Sequence, residues 1–271
     1  MQMGWSIGDS VPGRGWRRAV ELNLPTHSLA LAAQQMLCTA PLLVAFSALV
    51  QRHAGGQAGD ALSRYLGLSP PAAADVVDLF HSSGHSSATD TIIGLILALV
   101  FGTGVAATQQ RFFELLWSQS RTGMRDSWRQ LLWVCGLISY LVVVLYAGRL
   151  GHGVGRRLHA GRPAGPVTQL LVSLLFFWWS QHLLLAGRVT WWRLLPGAAC
   201  MALGITILVA LSGSVMSHEI VAEVSDYGPI GATFVLSVWL VVLSGLICGS
   251  ALAGAVINDH HEARAEHRQP S

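Results

Sequence analysis

Apolar residues in this chain come in long uncharged runs, each closed by a short charged stretch. Six such runs stand out: Leu22 to Gln51, Thr91 to Gln110, Gln130 to Gly148, Val167 to Gly187, Leu194 to His218, and Tyr227 to Asn258. About 20 apolar residues in a helix rising 1.5 Å each cross roughly 30 Å of hydrocarbon. The pattern therefore predicts an all-α, polytopic membrane protein: a bundle of six transmembrane helices in one domain, residues 28–258. Helix one, roughly Ser28 to Val50, carries Pro41 near its middle, where a lost backbone hydrogen bond favours a kink.

The last two runs form the clearest unit. They flank an acidic hinge containing Glu219, Glu223 and Asp226, and read as a helical hairpin. Pro196 and Pro229 fall at the expected first turns, where a missing N–H costs little. Small residues repeat every four positions at Gly94, Ala98 and Gly102, and again at Gly245, Gly249 and Ala253. Such faces allow close helix packing; on the last helix they also allow a homo-oligomer.

Between the runs, the polar stretches predict loops and surface helices. Residues 1–27 form an amino-terminal segment in which Arg14, Arg17 and Arg18 beside Trp16 suit a short interfacial helix, arginines outward. The connection from Arg52 to Asp90 contains a capped surface helix after Ser69. Arg111 to Arg129 reads as a helical extension plus a loop. Arg149 to Pro166, rich in glycine and arginine, reads as a loop. Residues 259–271 read as a disordered tail.

Composition sharpens the class. Of 271 residues, 52% are hydrophobic and 11% charged, against the roughly 25% charged usual in soluble domains. All 17 basic residues are arginine. Eleven of them fall on the side of the amino terminus: Arg14, Arg17, Arg18, Arg111, Arg121, Arg125, Arg129, Arg188, Arg193, Arg264 and Arg268. The remaining six are Arg52, Arg64, Arg149, Arg156, Arg157 and Arg162. Positive residues accumulate in cytoplasmic loops, so both termini are expected inside. Arg149, Arg156, Arg157 and Arg162 are then an outer basic patch, suited to phosphate-bearing headgroups if it binds anything. Cys38, Cys135, Cys200 and Cys248 are isolated in apolar runs and read as packing residues.

Few residues offer chemistry. Gln34 and Gln35 are amides at membrane depth, expected to face other helices because lipid offers no partner. Gln181 and His182 near one end of helix four join them, with Pro41, as candidates for a substrate path. His182 and His218 sit close enough to helix ends to serve as interfacial anchors. No acidic residue falls within the six predicted cores. His81 and His85 have a zinc-like spacing, but Gly84 and the serines between them favour a solvated loop. No nucleophile elbow, phosphate-cradling glycine loop or paired carboxylates appear, so no catalytic residue, cofactor or metal is expected. The arginines are too dispersed for nucleic acid.

The carboxy-terminal hairpin resembles the YihY/virulence factor BrkB family of inner-membrane envelope-integrity proteins. The likeness rests on Leu195-Pro196-Gly197-Ala198, then Tyr227-Gly228-Pro229-Ile230-Gly231, then a run through Trp239 to Gly245 and Gly249. Leu29 to Ala48, with Ala40-Pro41-Leu42-Leu43, is similar to the family's first helix, and the likeness extends over Arg14 to Asp259. The chain departs from the family in having Gln34 and Gln35 in place of aromatic residues. It also has Gly249-Ser250-Ala251 where the family has Gly-Ala-Glu. The resemblance implies a six-helix bundle of the bacterial cytoplasmic membrane linked to envelope integrity, with movement or organisation of a lipid or glycolipid as the suspected role. Members once carried the label ribonuclease BN; the sequence holds no hydrolytic set to match it.

Two functions are weighed from these residues. One is a non-enzymatic protein that moves or organises an amphiphilic envelope molecule, with membrane lipids as partners. The alternative is a scaffold that transports nothing and binds other envelope proteins.

Overall fold

A computed structural model describes residues 11–54, 88–120, 127–157, 164–227 and 229–266. Among them there are seven helices and no strand: α1 (Val11–Glu21), α2 (Leu24–Ala54), α3 (Ala88–Leu116), α4 (Ser127–Arg157), α5 (Ala164–Leu184), α6 (Trp191–Tyr227) and α7 (Pro229–Glu266). Consecutive helices pack side by side from α2 to α7, and α7 returns to α2, closing a ring. α3 also touches α5 and α7, which makes it the inner helix of the bundle.

Five helices carry apolar windows long enough to cross a membrane: Ile92–Leu116, Ser127–Val144, Val167–Leu184, Trp191–Leu211 and Phe234–His260. α2, 31 residues long with Pro41 inside it, is the helix that the hydropathy pattern adds to these five. The outside is apolar, with Ile92, Ile96, Val100, Leu171, Leu175, Ile207 and Phe234 all exposed. In water that surface would drive aggregation; against hydrocarbon it costs nothing.

Helix ends follow local chemistry. α1 stops at Asn23, which adopts a left-handed backbone (φ 48°) that asparagine tolerates. The Asn23 carbonyl then accepts from the N–H of Thr26, so one residue ends α1 and starts α2. α5 closes through Ala186 and Gly187 (φ 58° and 69°), with the Gly187 N–H on the His182 carbonyl.

Small residues set the spacing between helices. Gly94, Ala98 and Gly102 are all buried, as predicted, and a side chain at Gly102 would strike Val134 of α4. Gly136 of α4 receives the ring of Trp179 from α5. α6 and α7 meet backbone to backbone: a Cβ on Gly254 would lie 2.5 Å from Gly197. Gly245 and Gly249, expected to pack, have nothing within 4 Å of a built Cβ. The notch lies on the opposite side of the same helix.

Polar groups inside the ring are mostly paired. Trp133 donates from Nε1 to Ser180 Oγ at 2.5 Å, and the Tyr140 and Ser173 hydroxyls lie 2.9 Å apart. Both contacts join α4 to α5, as does the Tyr140–Phe176 stack with centroids 4.4 Å apart. Thr39, Thr108 and Thr206 donate to carbonyls one turn back in their own helices.

Several predicted boundaries move. The Arg149–Pro166 loop is helical through Arg157. The acidic hinge at Glu219, Glu223 and Asp226 is the last part of α6. The disordered tail is helical through Glu266. Pro196 lies more than a turn inside α6, which starts at Trp191, whereas Pro229 does open α7. Charges mark where lipid ends, and these helices continue past it.

Candidate functional site

Gln34 and Gln35 sit side by side on α2 but serve different interfaces. Gln34 covers Gly104 of α3, where its Oε1 would lie 2.8 Å from a built Cβ. Gln35 accepts through Oε1 from Ser244 Oγ of α7 at 2.9 Å. Both amides therefore face helices, as expected from the lack of partners in lipid. Pro41 lies further along α2 and is half-buried.

Gln181 belongs to another interface. It is 3% exposed and lies against Gly197 of α6, beside Ser250 and Ala251 of α7. Its Nε2 is buried and has no hydrogen-bond partner among the described residues. The structure thus separates Gln181 from the Gln34–Gln35 pair. The predicted path residues do not converge on one cluster.

The polar set that does connect was missed in the sequence. Gln130 of α4 donates to Gln110 Oε1 at 3.1 Å, and Gln110 donates to Glu114 Oε1 at 3.1 Å. Glu114 is 4% exposed and lies within the Ile92–Leu116 span. Gln109, beside Gln110, is also buried. This overturns the expectation that no carboxylate enters a helical core. The uncharged run ends at Gln110 because Arg111 follows it, yet α3 continues for more than a turn. Glu114, four residues after Gln110, shares its buried face.

A second feature is a collar at one end of the bundle. The chain alternates direction around the ring, so the starts of α2, α4 and α6 meet the ends of α3, α5 and α7. Trp16, Trp117, Trp128, Trp178, Trp191 and Trp192 all fall at this end. Tryptophans gather where lipid meets water, so the collar marks one membrane interface. His182 belongs to it: its ring stacks on Trp191 at 3.9 Å, while Trp178 Nε1 donates to the Trp191 carbonyl at 2.7 Å. The stack puts His182 at the collar, the position expected of an interfacial anchor, and away from Gln34 and Gln35.

Arginines lock the same end. Arg18 pairs with Asp259 of α7 and donates to the Leu116 carbonyl of α3 at 2.9 Å. A cation on the last carbonyls of a helix satisfies orphan acceptors and opposes the dipole. Arg14 reaches His260 Nδ1 at 2.5 Å. Arg188 donates to the Ser120 carbonyl at 2.5 Å, and Arg193 lies over the Trp117 ring at 5.5 Å. Arg14 and Arg18 turn in against α7, correcting the picture of α1 with its arginines outward; Arg17 and Trp16 do face out.

Of the remaining predicted residues, Pro196 and Gly197 lie at the α6–α7 contact, and Trp239 is half-buried on α7. Tyr227 ends α6, Gly231 lies in the first turn of α7, and Gly228 falls outside the described residues. Arg149, Arg156 and Arg157 are on the last turns of α4, at the end away from the collar. Arg162, His81 and His85 lie outside the described residues, as do the side chains of the other three arginines. Among the described residues no three His, Cys, Asp or Glu side chains converge.

An apolar exterior, an aromatic collar and a ring of spanning helices define a polytopic all-α membrane protein. The chain belongs to the family described as Virulence factor BrkB, which it matches over residues 16–271. No curated protein and no solved structure matches it.

Proposed function

We propose that this member of the family moves or organises an amphiphilic envelope molecule, a lipid or glycolipid, without acting as an enzyme. The observation that supports the reading most is the Gln130–Gln110–Glu114 chain, which runs from α4 to the buried face of the inner helix α3. Glu114, about one turn from the collar, is an ionisable group buried among helices, where such groups are costly and are candidates for a functional site. A headgroup crossing the bundle needs such polar groups in sequence, and α3 adds Gly104 with Gln34 farther along. Acyl chains would stay against the apolar outer surface. The membrane is the bacterial cytoplasmic one in this reading, with the collar and both termini on the cytoplasmic side.

Reconstitution into liposomes tests it. Fluorescent phospholipid should exchange between leaflets faster than in protein-free vesicles. Glu114→Gln should slow that exchange about tenfold, as loss of about 1.4 kcal/mol of barrier-lowering interaction would. Exchange no faster than in empty vesicles would defeat the proposal.

One observation favours the alternative of a non-transporting scaffold. Gly245 and Gly249 leave a smooth strip on α7, where a built Cβ meets nothing within 4 Å among the described residues. A helix of another envelope protein, or of a second copy, fits such a strip. Gly249→Leu should then remove a co-purifying partner while leaving lipid exchange untouched.

A further inference from the structure

The end of the bundle marked by the tryptophan collar contains a cavity of about 360 Å³ between α1 and α7. Its walls are Arg14, Arg17, Arg18, Glu21, Val256 and Asp259. Three guanidiniums against two carboxylates leave it one net positive charge. Its volume falls in the range of small-molecule sites, about 300–1,000 Å³, and suits a headgroup better than a whole lipid.

The arginines there are not equally engaged. Arg18 is committed to structure through Asp259 and the Leu116 carbonyl. Arg14 is not held by a carboxylate in any contact described. It reaches only the imidazole Nδ1 of His260, and its Nε–H is buried without an acceptor. An arginine with no carboxylate in contact keeps its charge for an anion, and phosphate oxygens fit the guanidinium fork. Position supplies the rest. α1 presents Trp16, 74% exposed, and Val20, one turn on, at the membrane interface. The cavity therefore stands at headgroup level, where phosphates are concentrated.

We propose that this cavity binds the phosphate of an anionic phospholipid headgroup, with Arg14 as its main ligand and Arg17 at its rim. The site is distinct from the polar chain on α3 and does not require that the protein move lipid. It makes α1 a lipid-gripping element at the collar.

The test uses the purified full chain in an uncharged detergent, titrated separately with short-chain phosphatidylglycerol, short-chain phosphatidylcholine and inorganic phosphate. Native mass spectrometry reads bound lipid, and thermal unfolding reads stabilisation. Phosphatidylglycerol should bind and stabilise selectively. Arg14→Gln should weaken it at least about tenfold, and Arg14→Lys less. Should Arg14→Gln not fold, Arg17→Gln should show a smaller loss in the same direction. Equal binding of the two lipids, or unchanged affinity in the Arg14→Gln and Arg17→Gln variants, would overturn the site. Inorganic phosphate matching phosphatidylglycerol would overturn the lipid assignment and leave a free-anion site. A lipid-exchange assay that fails says nothing against this binding, so the two proposals fall separately.

Discussion

A methyl group on Gly254 would press into the backbone of Gly197, whereas one on Gly245 or Gly249 would meet open space. Gly254→Ala should therefore destabilise the protein by about 1–3 kcal/mol, the usual cost of overpacking. Gly245→Ala should be neutral or slightly stabilising, since alanine is the better helix former. Thermal unfolding in detergent separates the two. Nine residues at about 100° each put Gly254 roughly half a turn away from Gly245. A repeat of small residues shows that α7 has a smooth face, but not which neighbour meets it. For that reason the packed glycine was not legible in the sequence. Gln34 and Gln35 were legible because lipid leaves an amide no alternative to a protein partner. Ser180→Ala offers a parallel test: it strands the buried Trp133 N–H and should cost about 1–3 kcal/mol.

At the scale of elements, α1 is tied to the bundle at few points, and Arg18 supplies two of them. Arg18→Ala should release α1 while the ring persists. Hydrogen exchange should show residues 11–21 losing protection by about tenfold or more, with α3 and α6 unchanged. The centres of the helices could be read from hydropathy, because a membrane rewards about 20 apolar residues in a row. Their ends could not. Hydropathy reports where hydrocarbon stops, and backbone hydrogen bonding obeys no such limit in the water beyond. The charged ends of α4, α6 and α7 accordingly read as a loop, a hinge and a disordered tail, and Glu114 falls beyond the uncharged core for the same reason. Interfacial tryptophans were visible one by one; only the alternating direction of the helices gathers them into a collar.

For the whole molecule, the contact of α1 with the end of α7 puts both on one face of the bundle. Reporter fusions before Val11 and after Glu266 should give the same sidedness, cytoplasmic by the arginine distribution; opposite sides would break the ring. That ring also has a seam. Gln35 and Ser244 are 209 positions apart, and their hydrogen bond joins the first spanning helix to the last. During synthesis, Gln35 enters the bilayer long before its partner leaves the ribosome. Until then α2 carries an amide that lipid cannot satisfy, and a chain truncated before α7 keeps that defect permanently. Closure thus reports completion: only the finished chain supplies the hydroxyl that answers this amide.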